Sequence, residues 1–222
     1  MSITTVGDQL IHYEAVGRGE AIVFIHGWLG SWRYWWSSMQ SLSTHYRTFA
    51  FDLWGYGDSS KTPEKYTFEA YVQMLDQFLD RLGILRPLTI VGHALGAAVG
   101  LRYAARKPEA VERLAVVALP LKGHHINSRL TETDAATFMS RVIGKSNSYP
   151  EVESELRKTD TQALNRTARE LRSWNFTPDL KQLDCPLLLI WGERDPVIET
   201  PAGDLPALFR AERRRAAITL EG

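Results

Sequence analysis

The sequence has one cysteine, no net charge and no long hydrophobic run. Cys185 stands alone among 222 residues, which excludes an intrachain disulfide and suits a reducing compartment. Basic and acidic residues number 26 each, and no basic stripe indicates a nucleic-acid partner. No apolar run approaches the roughly 18 residues of a membrane span, and the opening MSITTVGDQL lacks the regions of a signal peptide. We therefore predict a cytoplasmic monomer or homodimer without nucleic-acid or membrane partners.

Two further features are missing from the sequence. It shows no cluster of residues at metal-ligand spacing, and it shows no glycine-rich loop of the kind that holds phosphates. We therefore expect neither a metal ion nor a cofactor. The length fits one domain, and a hydrophobic content of 44% is enough for a sizeable core.

Apolar runs with strand character alternate with segments of helical periodicity. Strands are predicted at residues 3–6, 9–16, 21–25, 47–51, 88–91, 114–119, 186–191 and 216–220. Helices are predicted at residues 31–42, 68–82, 133–143, 150–158, 161–174 and 204–212. This alternation predicts an α/β fold with a largely parallel sheet. Residues 121–183 have no aliphatic strand run, so we predict a core of residues 1–120 and 184–222 with a helical insertion at 121–183.

The most informative stretch, LTIVGHALGAAVG, begins at Leu88. A buried strand turns there into a helix through Gly92 and Gly96, which is the context of a nucleophile elbow. The residue at the tip of such a turn is normally a serine, and here it is Ala94. A methyl group has no lone pair and cannot attack a carbonyl carbon.

Three other motifs stand at the ends of predicted strands. They are His26-Gly27, Asp52-x-x-Gly55-x-Gly57-x-Ser59 and Gly192-x-x-Asp195. With the Gly92-x-x-x-Gly96 turn between them in the chain, the sequence resembles the α/β-hydrolase family over almost its whole length. The resemblance implies a mostly parallel eight-stranded sheet flanked by helices, with residues 121–183 as a short helical cap.

The resemblance also implies roles for individual residues. The backbone N–H groups of Trp28 and Leu95 would form an oxyanion hole, and Asp195 would orient a catalytic histidine. In the family that histidine follows the last strand and precedes a final helix; here the last predicted strand ends at residue 220 of 222, so both are expected to be missing. The residues expected to contact a small acyl substrate are His26, Gly27, Trp28, His93, Leu121, Phe138 and Trp174. Further candidates to line the pocket are Leu29, Trp32, Trp54 and Phe176.

The alanine leaves three explanations open. It can be natural, because the Gly-His-Ala-Leu-Gly turn is similar to that of the aminoacrylate (carbamate) hydrolase branch. It can be an engineered replacement of a serine, or it can mark a degenerate member that only binds ligands. The sequence therefore predicts a hydrolase-type protein for a small ester or an amide- or carbamate-type substrate, inactive or strongly impaired as written. The alternative is a non-catalytic ligand-binding homologue.

Overall fold

The computed structural model describes residues 2–143, 154–201 and 215–221. The predicted helix at 204–212 and the first part of the predicted helix at 150–158 lie outside these residues. Within the described part, no helix combines the length and the apolar character needed to cross a bilayer.

One eight-stranded sheet organises the described residues. Its strands are β1 (Ser2–Val6), β2 (Gln9–Gly17), β3 (Glu20–Ile25), β4 (Tyr46–Phe51), β5 (Leu88–His93), β6 (Val111–Val117), β7 (Leu187–Gly192) and β8 (Arg215–Leu220). Their order across the sheet is β1-β2-β4-β3-β5-β6-β7-β8. The β1–β2 and β2–β4 pairs are antiparallel, and every other pair is parallel. The predicted fold class is thereby confirmed.

The two faces of the sheet pack against different helices, because successive side chains of a strand point to opposite faces. On β3, Ile22 and Phe24 pack with Met39 of helix α1 (Trp36–Leu42), which follows a 3₁₀ turn at Trp32–Trp35. The alternate residues Val23 and Ile25 belong to the larger core. That core includes the buried sides of α2 (Phe68–Arg81) and α3 (Leu95–Arg106).

Strand β6 differs from its prediction at both ends. It begins at Val111, which pairs with Leu88, and it ends at Val117 rather than at residue 119. Ala118 has φ 52°, so the chain turns out of the sheet there. A turn of this kind has no signature in an apolar run such as LAVVAL.

The connection from β6 to β7 is helical in its described residues, but its helices differ from the predicted ones. Helix α4 covers only Ala135–Phe138, and a π-helical turn at Met139–Ile143 follows it. The predicted start at Thr133 was wrong, because the Thr133 N–H and hydroxyl both bond the Arg129 carbonyl while Asp134 caps the new helix. The division of the chain into a core and a cap stays a prediction.

Two further helices lie in the described part of this connection, after a short helical segment at residues 154–156 that belongs to the predicted helix at 150–158. Helix α5 covers Thr161–Leu171, and it ends before the predicted Trp174 because that residue bonds Gly123 across the connection. Helix α6 (Thr177–Gln182) was not predicted. Its six residues are too few for a periodicity to stand out.

Candidate active site

Ala94 forms the tip of the tight turn between β5 and α3. Its backbone angles are φ 49° and ψ −107°, in a region that residues other than glycine rarely adopt. Its N–H donates to the Val117 carbonyl at 2.9 Å, and its carbonyl accepts from the Ala98 N–H at 3.1 Å. These bonds to β6 and α3 hold a conformation that costs on the order of 1–3 kcal/mol.

The two glycines that flank the turn are required by close backbone contacts. A Cβ atom on Gly92 would overlap the carbonyl of Gly96, and a Cβ on Gly96 would overlap the carbonyls of Ile25 and His26. Helix α3 therefore lies directly against the ends of β5 and β3. The same close approach brings the loop after β3 to the tip of the turn.

That loop meets Ala94 at Gly27. A Cβ placed on Gly27 would lie 3.0 Å from the Ala94 methyl carbon and 2.7 Å from Nδ1 of His93. Trp28 follows in the loop, and its buried indole N–H donates to the Thr167 hydroxyl of α5 at 2.9 Å. For the residues that the structure describes, neither the Trp28 nor the Leu95 backbone N–H has a hydrogen-bond partner. Two free amide donors thus belong to the segments that flank the Ala94 methyl group.

His26 and Gly27 were predicted to contact a substrate, and for the His26 side chain the structure corrects this. Its Nδ1 donates to the Gly27 carbonyl at 2.8 Å, and its Nε2 accepts from the Leu53 N–H at 2.9 Å. The ring is fully buried, and burial lowers its pKa. With both nitrogens engaged, the neutral imidazole joins two loops and has no free group for a ligand.

His93 differs from His26 because it keeps one ring nitrogen available. Its Nδ1 lies 3.2 Å from the Tyr34 hydroxyl, whose oxygen accepts the Gly27 N–H at 2.5 Å. Its Nε2 has no hydrogen-bond partner within the described ranges, and the ring lines a cavity. Burial lowers the pKa of His93, and the negative charge of Asp195 opposes that shift.

Asp195 lies in the turn that follows β7. One carboxylate oxygen accepts the N–H groups of Val197 at 2.8 Å and Ile198 at 3.1 Å, which fixes the turn. The negative charge of this carboxylate raises the pKa of His93, against the larger effect of burial. Trp28, Ala94 and Asp195 follow the carboxyl ends of β3, β5 and β7, and their joint role in one site stays a prediction.

A cavity of about 710 Å³ lies beside the turn. Its described lining is mostly one segment after β3, together with three residues from elsewhere. The lining residues are 29–37, His93, Val117 and Glu155. Of the residues predicted to contact a substrate, His93 is in this lining, and so are the pocket candidates Leu29 and Trp32.

The other predicted contacts have packing roles instead. Leu121 and Phe138 are fully buried in the core. Trp174 stacks on Phe176, meets Phe68 edge-on at 4.6 Å, and lies under the Arg102 guanidinium. Trp174 thus joins the β6–β7 connection to helices α2 and α3. None of the three side chains is in the lining of this cavity, and their contact with a substrate stays a prediction.

Sequence reasoning missed Tyr34 and Glu155. Glu155 has a buried carboxylate at the cavity wall, and its Oε1 accepts from Arg33 Nε at 3.0 Å and lies 3.1 Å from Lys158 Nζ. Lys158 also pairs with Asp58 at 2.9 Å. Nothing in the local sequence distinguishes either residue, because their importance comes from partners distant in the chain.

One group of side chains within the described ranges has the composition of a metal site. It consists of His12, Asp52 and Asp58. Asp52 Oδ2 already accepts from His12 Nδ1 at 2.9 Å and from the Asp58 N–H at 3.1 Å, while Oδ1 accepts the Trp32 N–H. Asp58 is also paired with Lys158, so both carboxylates have protein partners, while the buried His12 Nε2 has no hydrogen-bond partner and lies 3.7 Å from Glu14.

Comparison with known proteins shows the family to which this fold belongs. The model of the alpha/beta hydrolase fold family matches residues 20–135. The chain belongs to the alpha/beta hydrolase fold family. A hydrolase from Pseudomonas aeruginosa PA01 has the same fold, with a TM-score of 0.83 at 22% identity over 99% of this chain and 89% of that one.

Curated relatives of this hydrolase-fold chain include enzymes of several kinds. A haloalkane dehalogenase from Agrobacterium fabrum is 41% identical over 105 residues, which is 47% of this chain and 34% of the dehalogenase. A pimeloyl-[acyl-carrier protein] methyl ester esterase from Nitrosomonas europaea is 27% identical over 87% of this chain and 83% of the esterase. The chain thus spans about a third of the length of the dehalogenase but most of the esterase.

Proposed function

We propose that the β5–α3 turn is the nucleophile elbow of a site that receives the carbonyl group of a small ester, amide or carbamate. Ala94 occupies the position of the attacking residue. The observation that carries this proposal is the φ of 49° at an alanine, held by hydrogen bonds to β6 and α3. If the turn had no function, substitutions of Gly92 or Gly96 that relax this strain would be expected. Both glycines are present.

The groups around the turn support carbonyl binding. The unpartnered N–H groups of Trp28 and Leu95 are suited to the negative charge that builds on a carbonyl oxygen during attack. Donors of this kind contribute roughly 2.7–4 kcal/mol each to transition-state stabilisation in a well-studied protease. The ester substrate in the name of the Nitrosomonas europaea relative supports the same class of bond.

Ala94 also limits the mechanism. Since a methyl group cannot form an acyl-enzyme, hydrolysis in this chain requires direct attack by water. Protease variants that lack their triad keep about 10³–10⁴-fold acceleration over water from the oxyanion hole and binding alone. Turnover through this site is therefore strongly impaired relative to a serine enzyme, and ligand binding without turnover is the second candidate because of the methyl group at residue 94.

Hydrolysis of p-nitrophenyl acetate and butyrate tests the proposal. Ala94→Ser should give a covalent acyl adduct at residue 94, detected by mass spectrometry, and the unchanged chain should give none. Leu85→Ser is a matched control, because residue 85 is 84% exposed and precedes β5, whose other end carries the turn. Acylation of Ala94→Ser no faster than that of the control would overturn the elbow. Turnover by the unchanged chain above the buffer rate would remove the binding-only candidate.

A further inference from the structure

The cavity beside the turn has an aromatic wall. Four of the five residues at 32–36, WRYWW, carry aromatic side chains, and all five line the cavity. Trp32 meets Trp36 edge-on with 5.8 Å between the ring centroids, and Tyr34 is tilted against Trp35 at 5.2 Å. Tyr34 and Trp36 remain 37% and 39% exposed, so their rings have surface left for a ligand. Rings of this kind favour other aromatic rings in edge-to-face or offset contacts.

The charges at the cavity wall are paired with each other. Arg33 and Glu155 are the ionised side chains among the described lining residues, and Arg33 Nε donates to Glu155 Oε1 at 3.0 Å. Lys158 Nζ lies 3.1 Å from the same oxygen and also pairs with Asp58. A charged ligand would lose its hydration on entry without gaining an unpaired counter-charge from these residues. The described wall is therefore suited to an uncharged molecule.

Tyr34 also determines which nitrogen of the His93 ring carries a hydrogen. Its phenol oxygen accepts the Gly27 N–H at 2.5 Å and lies 3.2 Å from His93 Nδ1. Burial raises the pKa of Tyr34, so the phenol keeps its own hydrogen at neutral pH and donates it to Nδ1. The neutral ring then carries its hydrogen at Nε2, which has no hydrogen-bond partner within the described ranges. His93 therefore adds an N–H donor to the lining of the cavity.

The volume of the cavity bears on the size of the ligand. It is about 710 Å³, several times the roughly 150 Å³ that hold a benzene molecule in an engineered protein cavity. A methyl or acetyl group alone would leave most of this space to water. The cavity also lies next to the tip of the turn, because His93 in its lining precedes Ala94 in the chain. A ring attached to a carbonyl group at the turn has space there.

We propose that this cavity binds an uncharged aromatic group of the substrate, and that the Nε2–H of His93 donates a hydrogen bond to an oxygen of the same molecule. Tyr34 is the positioning residue, because its hydroxyl sets the tautomer of His93. The inference rests on the proposed function and narrows it. The substrate class is an aromatic ester, amide or carbamate, and aliphatic or charged ones are disfavoured.

Nitrogen-15 NMR of histidine-labelled protein tests the donor without any ligand. The His93 signals, assigned with His93→Phe, should show a protonated Nε2 and an unprotonated Nδ1 above the pKa of the ring. Tyr34→Phe removes the hydrogen that Nδ1 accepts, so it should raise the population of the other tautomer. His45→Gln, at an exposed histidine, should leave the His93 signals unchanged. A protonated Nδ1 in the unchanged chain would overturn the assignment of the donor.

Binding of small ketones tests the aromatic pocket, with the indole N–H signals of Trp32, Trp35 and Trp36 as the readout. Acetophenone should bind about 2- to 10-fold more tightly than cyclohexyl methyl ketone, which has the same oxygen on a saturated ring. Benzoate, which carries a charge, should bind more weakly than acetophenone. The pocket assignment is wrong if acetophenone shifts none of these indole signals, or if either comparison compound binds as tightly.

A variant at residue 93 separates the hydrogen bond from the shape of the pocket. His93→Phe should weaken acetophenone binding about 2- to 10-fold, the range of one net hydrogen bond. Binding of ethylbenzene, which has no oxygen, should stay the same. Equal effects on both compounds would remove the donor role.

The two proposals fail separately. If p-nitrophenyl acetate acylates Ala94→Ser but acetophenone does not bind, only the pocket assignment is wrong. If acetophenone binds and Ala94→Ser is not acylated, the elbow is wrong, and the aromatic substrate class is withdrawn with it.

Discussion

Two groups of histidine and aspartate side chains lie at the same edge of the sheet and are used in opposite ways. In the bonded group, His12, His26 and Asp52 are fully buried and hold the loops after β3 and β4 through hydrogen bonds. In the open group, His93 precedes Ala94 and keeps Nε2 free beside a cavity, and Asp195 lies in the turn after β7. The residue type alone therefore does not show whether a histidine or an aspartate has a structural or a chemical role.

The difference lies in how many polar atoms already have partners. Asp52 accepts three hydrogen bonds and has little capacity left for a ligand, while its removal would leave three donors unpaired. Asp195 uses one oxygen for its own turn and exerts its charge on a neighbouring imidazole. Substitutions in the bonded group should therefore change the free energy of unfolding most. Substitutions in the open group should change the reaction at the site most.

Asp52→Ala should give the largest loss of stability. It leaves buried donors of His12, Trp32 and Asp58 without an acceptor, and breaking a buried network of this kind costs about 3–5 kcal/mol. Urea unfolding followed by circular dichroism measures the change. Asp80→Ala is the control: its side chain is 62% exposed and pairs with Arg86, so a loss of about 0–1 kcal/mol is expected. Equal losses in both variants would contradict the comparison.

Lowering the pH should destabilise the fold. Burial lowers the pKa of both His26 and His93, so the unfolded chain binds protons near pH 6.5 where the folded chain does not. The contribution of these residues is therefore complete above about pH 6.5 and is lost as the pH falls toward their folded pKa values. Unfolding free energies at intervals from pH 8 to pH 5 test this, and His26→Gln should flatten the slope. His45→Gln should not; an unchanged slope in His26→Gln would sink this account.

Asp195→Ala should lower stability much less than Asp52→Ala. It removes the acceptor of the Val197 and Ile198 N–H groups, a loss comparable to that of a helix cap, about 1 kcal/mol. The same urea titration measures it. A loss as large as that of Asp52→Ala would show that the open group is also a structural one.

The turn could be predicted from sequence because its geometry demands glycines at fixed positions. Gly92 and Gly96 each face a backbone carbonyl, so their spacing reports a contact that no other residue permits. Trp174 could not be placed in the same way. A tryptophan packs equally well against a ligand or a helix, and its partners Phe68 and Arg102 lie far away in the chain.

The hydrogen-bond partners of the side chains were the least predictable feature of the site. His26 and His93 both stand beside glycines at strand ends, yet only one keeps a free nitrogen. That difference depends on Tyr34 and Leu53, which no motif includes. Hydrogen bonds between residues of two different loops depend on the folded structure, and the local sequence does not predict them.

The close approach of Gly27 to the methyl group of residue 94 has a practical consequence for protein engineering. Because that glycine occupies one side of the tip, a larger group introduced at position 94 can extend only away from it. A thiol installed there would be confined to few rotamers, and its reactivity toward electrophiles would report which direction the scaffold leaves open.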